Sequence, residues 1–142
     1  MKIAILQPSD VNDDFAQQVK DLFSQLNDTI EQVNLDEVFK PENAITFAYC
    51  MDKDKMVGIA LMCTYTVISG YKGWVEDVVV DKAYRGQGLG RKLMEKLVDE
   101  GKKDGLSEIL LFSNDKRKAA ISLYKSLGFK QKDSGLYVLK TN

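Results

Sequence analysis

Gly86, Gly88 and Gly90 fall at alternate positions just after the β-branched run Val78-Val79-Val80, and Leu89, Leu93, Leu97 and Val98 then recur at helical spacing. A strand that turns through such a bend into a helix points the first-turn backbone N–H groups outward, where no intrahelical acceptor reaches them. Together with the positive end of the helix dipole, these donors favour an anion, phosphate above all. Glycine removes the Cβ atoms that would hold a phosphate oxygen at a distance. Residues 85–91 are therefore expected to bind phosphate through the backbone. Arg85 and Arg91 either add charge-assisted contacts or are simply exposed cations flanking the helix.

Spacing separates the phosphate loops that compete for this segment. A nucleoside-triphosphate loop needs Lys-Ser or Lys-Thr after its last glycine, and Gly90 is followed by Arg91-Lys92-Leu93. The dinucleotide fingerprint needs a glycine at 91 or 93, where Arg and Leu stand. What remains is Arg85-x-x-Gly88-x-Gly90, with Gly86, Gln87 and Leu89 in the variable places. This pattern resembles the pyrophosphate loop of the GCN5-related N-acetyltransferase (GNAT) family, Arg/Gln-x-x-Gly-x-Gly/Ala, which holds acetyl-coenzyme A. The downstream chain fits the same resemblance. A buried strand over residues 107–113 ends at Asn114, a helix over about 117–127 carries Tyr124, and Gly128-Phe129 closes it. Upstream, Trp74 to Val80 is similar to the family's central strand. The matching part covers roughly residues 55–140.

The resemblance implies a three-layer α/β/α sandwich around a mixed, mostly antiparallel sheet with a splayed parallel strand pair. It implies an acetyl-CoA-dependent N-acetyltransferase with a primary-amine acceptor, and no metal. Backbone groups of Val78 and Val80 would pair with the pantetheine arm as in strand addition. The Tyr124 hydroxyl would donate to the departing thiolate, although a core aromatic with its hydroxyl at the edge would look the same in sequence. Asn114 either bonds the pantetheine arm or caps the turn that follows it. The acceptor must attack as the free base, which for an amine of pKa near 10.4 costs about 4–5 kcal/mol at pH 7. The chain has no histidine, so the candidate base is a carboxylate. Glu76 is favoured because strict alternation puts it on the same strand face as Val78 and Val80, with Asp77 pointing away unless a bulge intervenes. A rim carboxylate with a water chain as proton acceptor is the plainer reading. A backbone N–H near Val78 would stabilise the oxyanion. A module that holds CoA without catalysis, as a sensor or partner subunit, is the alternative.

Composition narrows the field. At 142 residues the chain is expected to form a single domain, residues 1–142. Its longest apolar runs, such as Ile59–Cys63, fall far short of a membrane span, and Met1-Lys2-Ile3 opens into a strand rather than a signal peptide, so a cytoplasmic location is expected. Cys50 and Cys63 lie in apolar strands and are read as reduced core thiols. Residues 1–50 hold nine acidic groups against three lysines, and residues 51–142 hold 17 basic against 12 acidic groups. The basic part suits a polyanionic ligand and the acidic part a cationic acceptor, or both are plain solvated surface. A net charge of −1 without an aromatic-basic ladder argues against nucleic acid. Monomer and homodimer both remain open.

The remaining elements follow from local signals. Residues 1–7 read as a strand, Pro8-Ser9-Asp10 as turn and cap, and Val11, Phe15, Val19, Leu22, Phe23 and Leu26 as the stripe of an amphipathic helix. A short helix is expected near 35–39. Strands are expected over 44–51 and 55–68, joined through Asp52-Lys53-Asp54, with Ser69 to Gly73 linking to the central strand at Trp74 and a last strand near Leu136 to Lys140. This order predicts a mixed α/β sandwich with the sheet between helices.

Overall fold

The computed structural model describes all residues 1–142. The chain forms two compact units, residues 1–112 and 113–142. The first holds β1 (Lys2–Ile5), a 3-10 turn (Pro8–Asp10), α1 (Asp13–Ser24), α2 (Leu35–Val38), β2 (Ile45–Asp52), β3 (Lys55–Val67), β4 (Gly70–Val80), a 3-10 turn (Lys82–Tyr84), α3 (Leu89–Lys103) and β5 (Glu108–Leu111). The strands make one sheet in the order β1-β2-β3-β4-β5. Pairing is antiparallel from β1 to β4, and β4 pairs β5 in parallel. The expected mixed, mostly antiparallel sheet is the one observed.

Alternating side chains send the two faces of the sheet to different helices. Val19 and Leu22 of α1 pack with Phe47, Ile59, Leu61 and Val79 on one face. On the other, a Cβ on Gly58 would lie 2.8 Å from Leu93 Cδ1 of α3, and Leu93, Met94 and Leu97 are fully buried. Each such side chain contributes about 1.5–3 kcal/mol through burial. The first unit is thus a helix–sheet–helix sandwich.

Two boundaries differ from expectation. Asn12, not Asp10, caps α1, accepting the Phe15 N–H at 2.8 Å. Pro8 opens a separate 3-10 turn, and Val11 behind it is extended. The β3–β4 connection is a tight hairpin with Val67 opposite Gly70, so β4 starts at Gly70 rather than Trp74. Gly70 adopts φ +146°, which only glycine accepts readily.

The second unit holds α4 (Lys118–Ser126). Its end satisfies the orphan carbonyls in pairs. Gly128 N–H donates to the Lys125 carbonyl and Phe129 N–H to the Tyr124 carbonyl, both at 3.0 Å, with Gly128 at φ +98°. The accompanying apolar contact is Tyr124 on Phe129, ring centroids 6.1 Å apart. The expected last strand is absent. Residues 136–140 form no ladder, and Leu136, Tyr137, Val138 and Leu139 are all exposed. Their strand propensity has no partner to act on, and an unpaired strand does not stand alone.

Candidate active site

A parallel pair that starts together and ends apart opens one side of β4. Lys72 is in register with Glu108, and their side chains form an ion pair at 3.0 Å. Pairing ends at Val75 opposite Leu111. Residues 76–80 of β4 continue past it. The Asp81 N–H donates to the Val57 carbonyl at 2.8 Å, so by alternation the N–H and C=O of Val80 face away from β3, toward the open side. That carbonyl accepts from Arg85 Nε at 3.2 Å.

A bulge interrupts β4 where Leu61 opposes Glu76 but Ile59 opposes Val79, leaving Asp77 and Val78 opposite Ala60. Asp77 sits at φ +53°, left-handed backbone that a short polar side chain tolerates better than most. The extra residue corrects the alternation reading. Glu76, opposite Leu61, lies on the α1 face, whereas Val80, opposite Gly58, lies on the α3 face. Glu76 therefore does not share a face with Val80. Glu76 is exposed to solvent, so only partial desolvation shifts its pKa upward from the ordinary carboxylate value, with the Asp77 carboxylate adding to the shift and the Trp74 indole opposing it. Asp77, likewise exposed, is shifted upward by partial desolvation of its carboxylate.

The glycine bend lies directly beyond. Gly86 and Gly88 adopt φ +80° and +76°, and nothing stands within 4 Å of where a Cβ would sit on either. Their glycine character answers to the backbone turn and to open space, not to internal crowding. Arg85, Gln87 and Arg91 are exposed, whereas Leu89 is buried and anchors the start of α3. No side chain caps α3 and no acid lies in its first turn, in contrast to α1 with Asn12, Asp13 and Asp14. The positive end of α3 is left to an anion. Arg91 pairs with Glu95 at 2.9 Å. Backbone donors, uncrowded glycines and two flanking arginines fit a pyrophosphate.

Sequence reasoning missed the clasp that holds this bend. Asp81 is 8% exposed and accepts the Ala83 N–H at 2.8 Å, capping the 3-10 turn. That bond lowers its pKa, with help from Gln25 and Lys55. Lys55 Nζ is 3.6 Å from Asp81 Oδ2 and 5.3 Å from the Tyr84 ring centroid. Tyr84 donates its hydroxyl to Asp52 at 2.8 Å, and Lys82 N–H donates to Gln25 Oε1 at 2.9 Å. An Asp placed before a short turn was the one readable signal; its partners are remote in sequence. Asp81→Ala is expected to cost about 1–2 kcal/mol at pH 7 by loss of the cap. Because the folded pKa is lowered, that stability is present above about pH 3.9 and is lost as pH falls through the folded value. Denaturant unfolding of both proteins at pH 7 and pH 3 should show the gap closing at the lower pH.

Two predicted site residues belong to the second unit. Asn114 Oδ1 accepts the Lys116 N–H at 2.9 Å, so of its two readings the turn-capping one is visible, with the amide nitrogen left over. Tyr124 is buried, and burial raises its pKa although Arg117 pulls the other way. Its hydroxyl is therefore protonated at neutral pH. Cys50 and Cys63 are free thiols, both raised by burial. No group of three or more acidic or Cys side chains forms a metal site, and no helix is long and apolar enough to cross a membrane.

Comparison with known proteins gives this arrangement its class. The model of the Acetyltransferase (GNAT) family matches residues 11–129, and the chain belongs to that family. It is 31% identical over 105 residues to the glucosamine 6-phosphate N-acetyltransferase of Trypanosoma brucei brucei, spanning 71% of this chain and 69% of that one. It is 36% identical over 81 residues to N-alpha-acetyltransferase 30 of Schizosaccharomyces pombe, 56% of this chain and about half (53%) of the relative's length. A putative acetyltransferase from Agrobacterium tumefaciens shares the fold at a TM-score of 0.81, with 19% identity, over 99% of this chain and 100% of the other.

Proposed function

We propose that this protein is an acetyl-CoA-dependent N-acetyltransferase that transfers acetyl to a primary amine by direct attack, with both substrates bound together. The carrying observation is the uncapped, glycine-lined start of α3 at the end of a β4 segment that has outrun its parallel partner. The loop from Arg85 to Arg91 holds the pyrophosphate, and Arg85 exchanges the Val80 carbonyl for a phosphate oxygen. The free edge at Val78 and Val80 pairs with the pantetheine amides, and the amide nitrogen of Asn114 adds a further contact. Acetyl-CoA supplies the activated acyl group. Glu76 takes the proton of the amine, and Tyr124 gives one to the leaving thiolate. Thiols held protonated by burial support direct attack over an acyl-cysteine. The acceptor is a small-molecule or peptide amine.

Initial rates of CoA release, with acetyl-CoA and amine both varied over a panel of peptide N-termini, diamines and amino sugars, test this reading. Intersecting double-reciprocal lines are expected. Parallel lines would refute direct attack, and no release with any amine would refute the enzyme. Glu76→Gln is expected to lower kcat/KM about a hundredfold with acetyl-CoA affinity unchanged. Since the base must be ionised and its pKa is raised, the wild-type acidic limb should lie above the usual carboxylate value of about 4.3, and the variant's profile should lose that limb.

A further inference from the structure

The glycine bend is held at its ends rather than along its length. Nothing stands within 4 Å of where a Cβ would sit on Gly86 or Gly88, and no side chain caps α3. At one end Leu89 is buried. At the other stands Tyr84, the last residue of the 3-10 turn. Its N–H donates to the Asp81 carbonyl and its hydroxyl to Asp52 Oδ2, both at 2.8 Å. Asp52 closes β2 and is in register with Lys55, which opens β3. The β2–β3 hairpin therefore meets the 3-10 turn with two side chains, Asp52 on Tyr84 and Lys55 on Asp81.

Both sides of this contact are tied to α1. Gln18 donates to the Asp54 carbonyl at 3.1 Å and accepts the Met56 N–H at 2.8 Å, which grips the hairpin. Two helical turns further on, Gln25 accepts the Lys82 N–H at 2.9 Å and grips the 3-10 turn. The phenol and the carboxylate are thus brought together by a frame that does not depend on their bond, and the β2–β3 ladder closes without it. A hydrogen bond to a carboxylate is among the stronger ones, and here it falls on the residue from which the bend departs. A loop already placed before its ligand arrives binds with less ordering cost.

We propose that Tyr84 and Asp52 are a positioning pair for the pyrophosphate loop: their hydrogen bond fixes where residues 85–88 leave the 3-10 turn and holds the bend in its binding geometry before acetyl-CoA arrives. This rests on the reading of the bend as the acetyl-CoA site. Both side chains act through the loop, and neither is a catalytic residue.

Calorimetric titration of acetyl-CoA into the wild type, Tyr84→Phe, Asp52→Ala, the double variant and Asp52→Asn tests the proposal. Saturable binding by the wild type is expected; its absence would remove the acetyl-CoA reading and this inference with it. Tyr84→Phe and Asp52→Ala should each raise Kd about five- to tenfold, and the double variant no more than either alone. Asp52→Asn keeps an oxygen that accepts from the phenol and should recover most of the affinity. At saturating acetyl-CoA, kcat in the three weakened variants should stay within about twofold of wild type while KM for acetyl-CoA rises with Kd. A bond that only stabilised the fold would lower the thermal unfolding midpoint and leave Kd of the folded protein unchanged. Wild-type Kd in Tyr84→Phe, or losses that add in the double variant, would overturn the positioning role while acetyl-CoA binding by the wild type still stood.

Discussion

Replacing Gly88 by valine is expected to lower acetyl-CoA affinity by about a hundredfold, equivalent to about 2.7 kcal/mol, while the protein remains folded. Gly88 stands at φ +76°, where a side chain costs about 1–2 kcal/mol of backbone strain. That cost appears as a modest loss of stability, because no protein atom lies within 4 Å of the new Cβ. The branched side chain instead occupies the open side of the bend, where phosphate oxygens approach the first turn of α3. Titration calorimetry and denaturant unfolding on the same preparation separate the two effects. Wild-type affinity in the variant would mean that the ligand does not use this bend.

Tyr124→Phe is expected to reduce kcat by about 10²–10³ with little change in acetyl-CoA affinity. The substitution keeps the ring that meets Phe129 across the end of α4 and the backbone bonds of the helix terminus. It removes only the hydroxyl, which burial keeps protonated. A fall in kcat with unchanged unfolding marks a proton donor to the leaving group. An unchanged kcat would leave Tyr124 as a packing residue. A CoA-binding module without catalysis would show no turnover in either protein.

How much was legible in the sequence depended on how local each cause was. The glycine bend could be read because each glycine answers to its own backbone and to the helix start beside it. Gly128 and Phe129 were readable for the same reason: a left-handed residue and an apolar neighbour are written one after the other. The bulge at Asp77 was not, because it arises from the registration of β4 against β3, and a left-handed aspartate carries no mark that separates it from an ordinary strand aspartate. The consequence is specific: strict alternation puts Glu76 on the face of Val80, and one extra residue reverses it. The clasp around Asp81 draws on Gln25, Asp52 and Lys55, which only the folded chain brings together. The run Leu136 to Lys140 shows the converse, since its residue types favour a strand while strand formation needs a neighbour that sequence does not guarantee.

The central claim, that the bend between β4 and α3 is built for acetyl-CoA, is tested most directly by calorimetric titration of the wild-type protein with acetyl-CoA, ATP and NAD in turn. Saturable binding of acetyl-CoA alone is the predicted result. Binding of ATP or NAD in its place, or of none of the three, would contradict it.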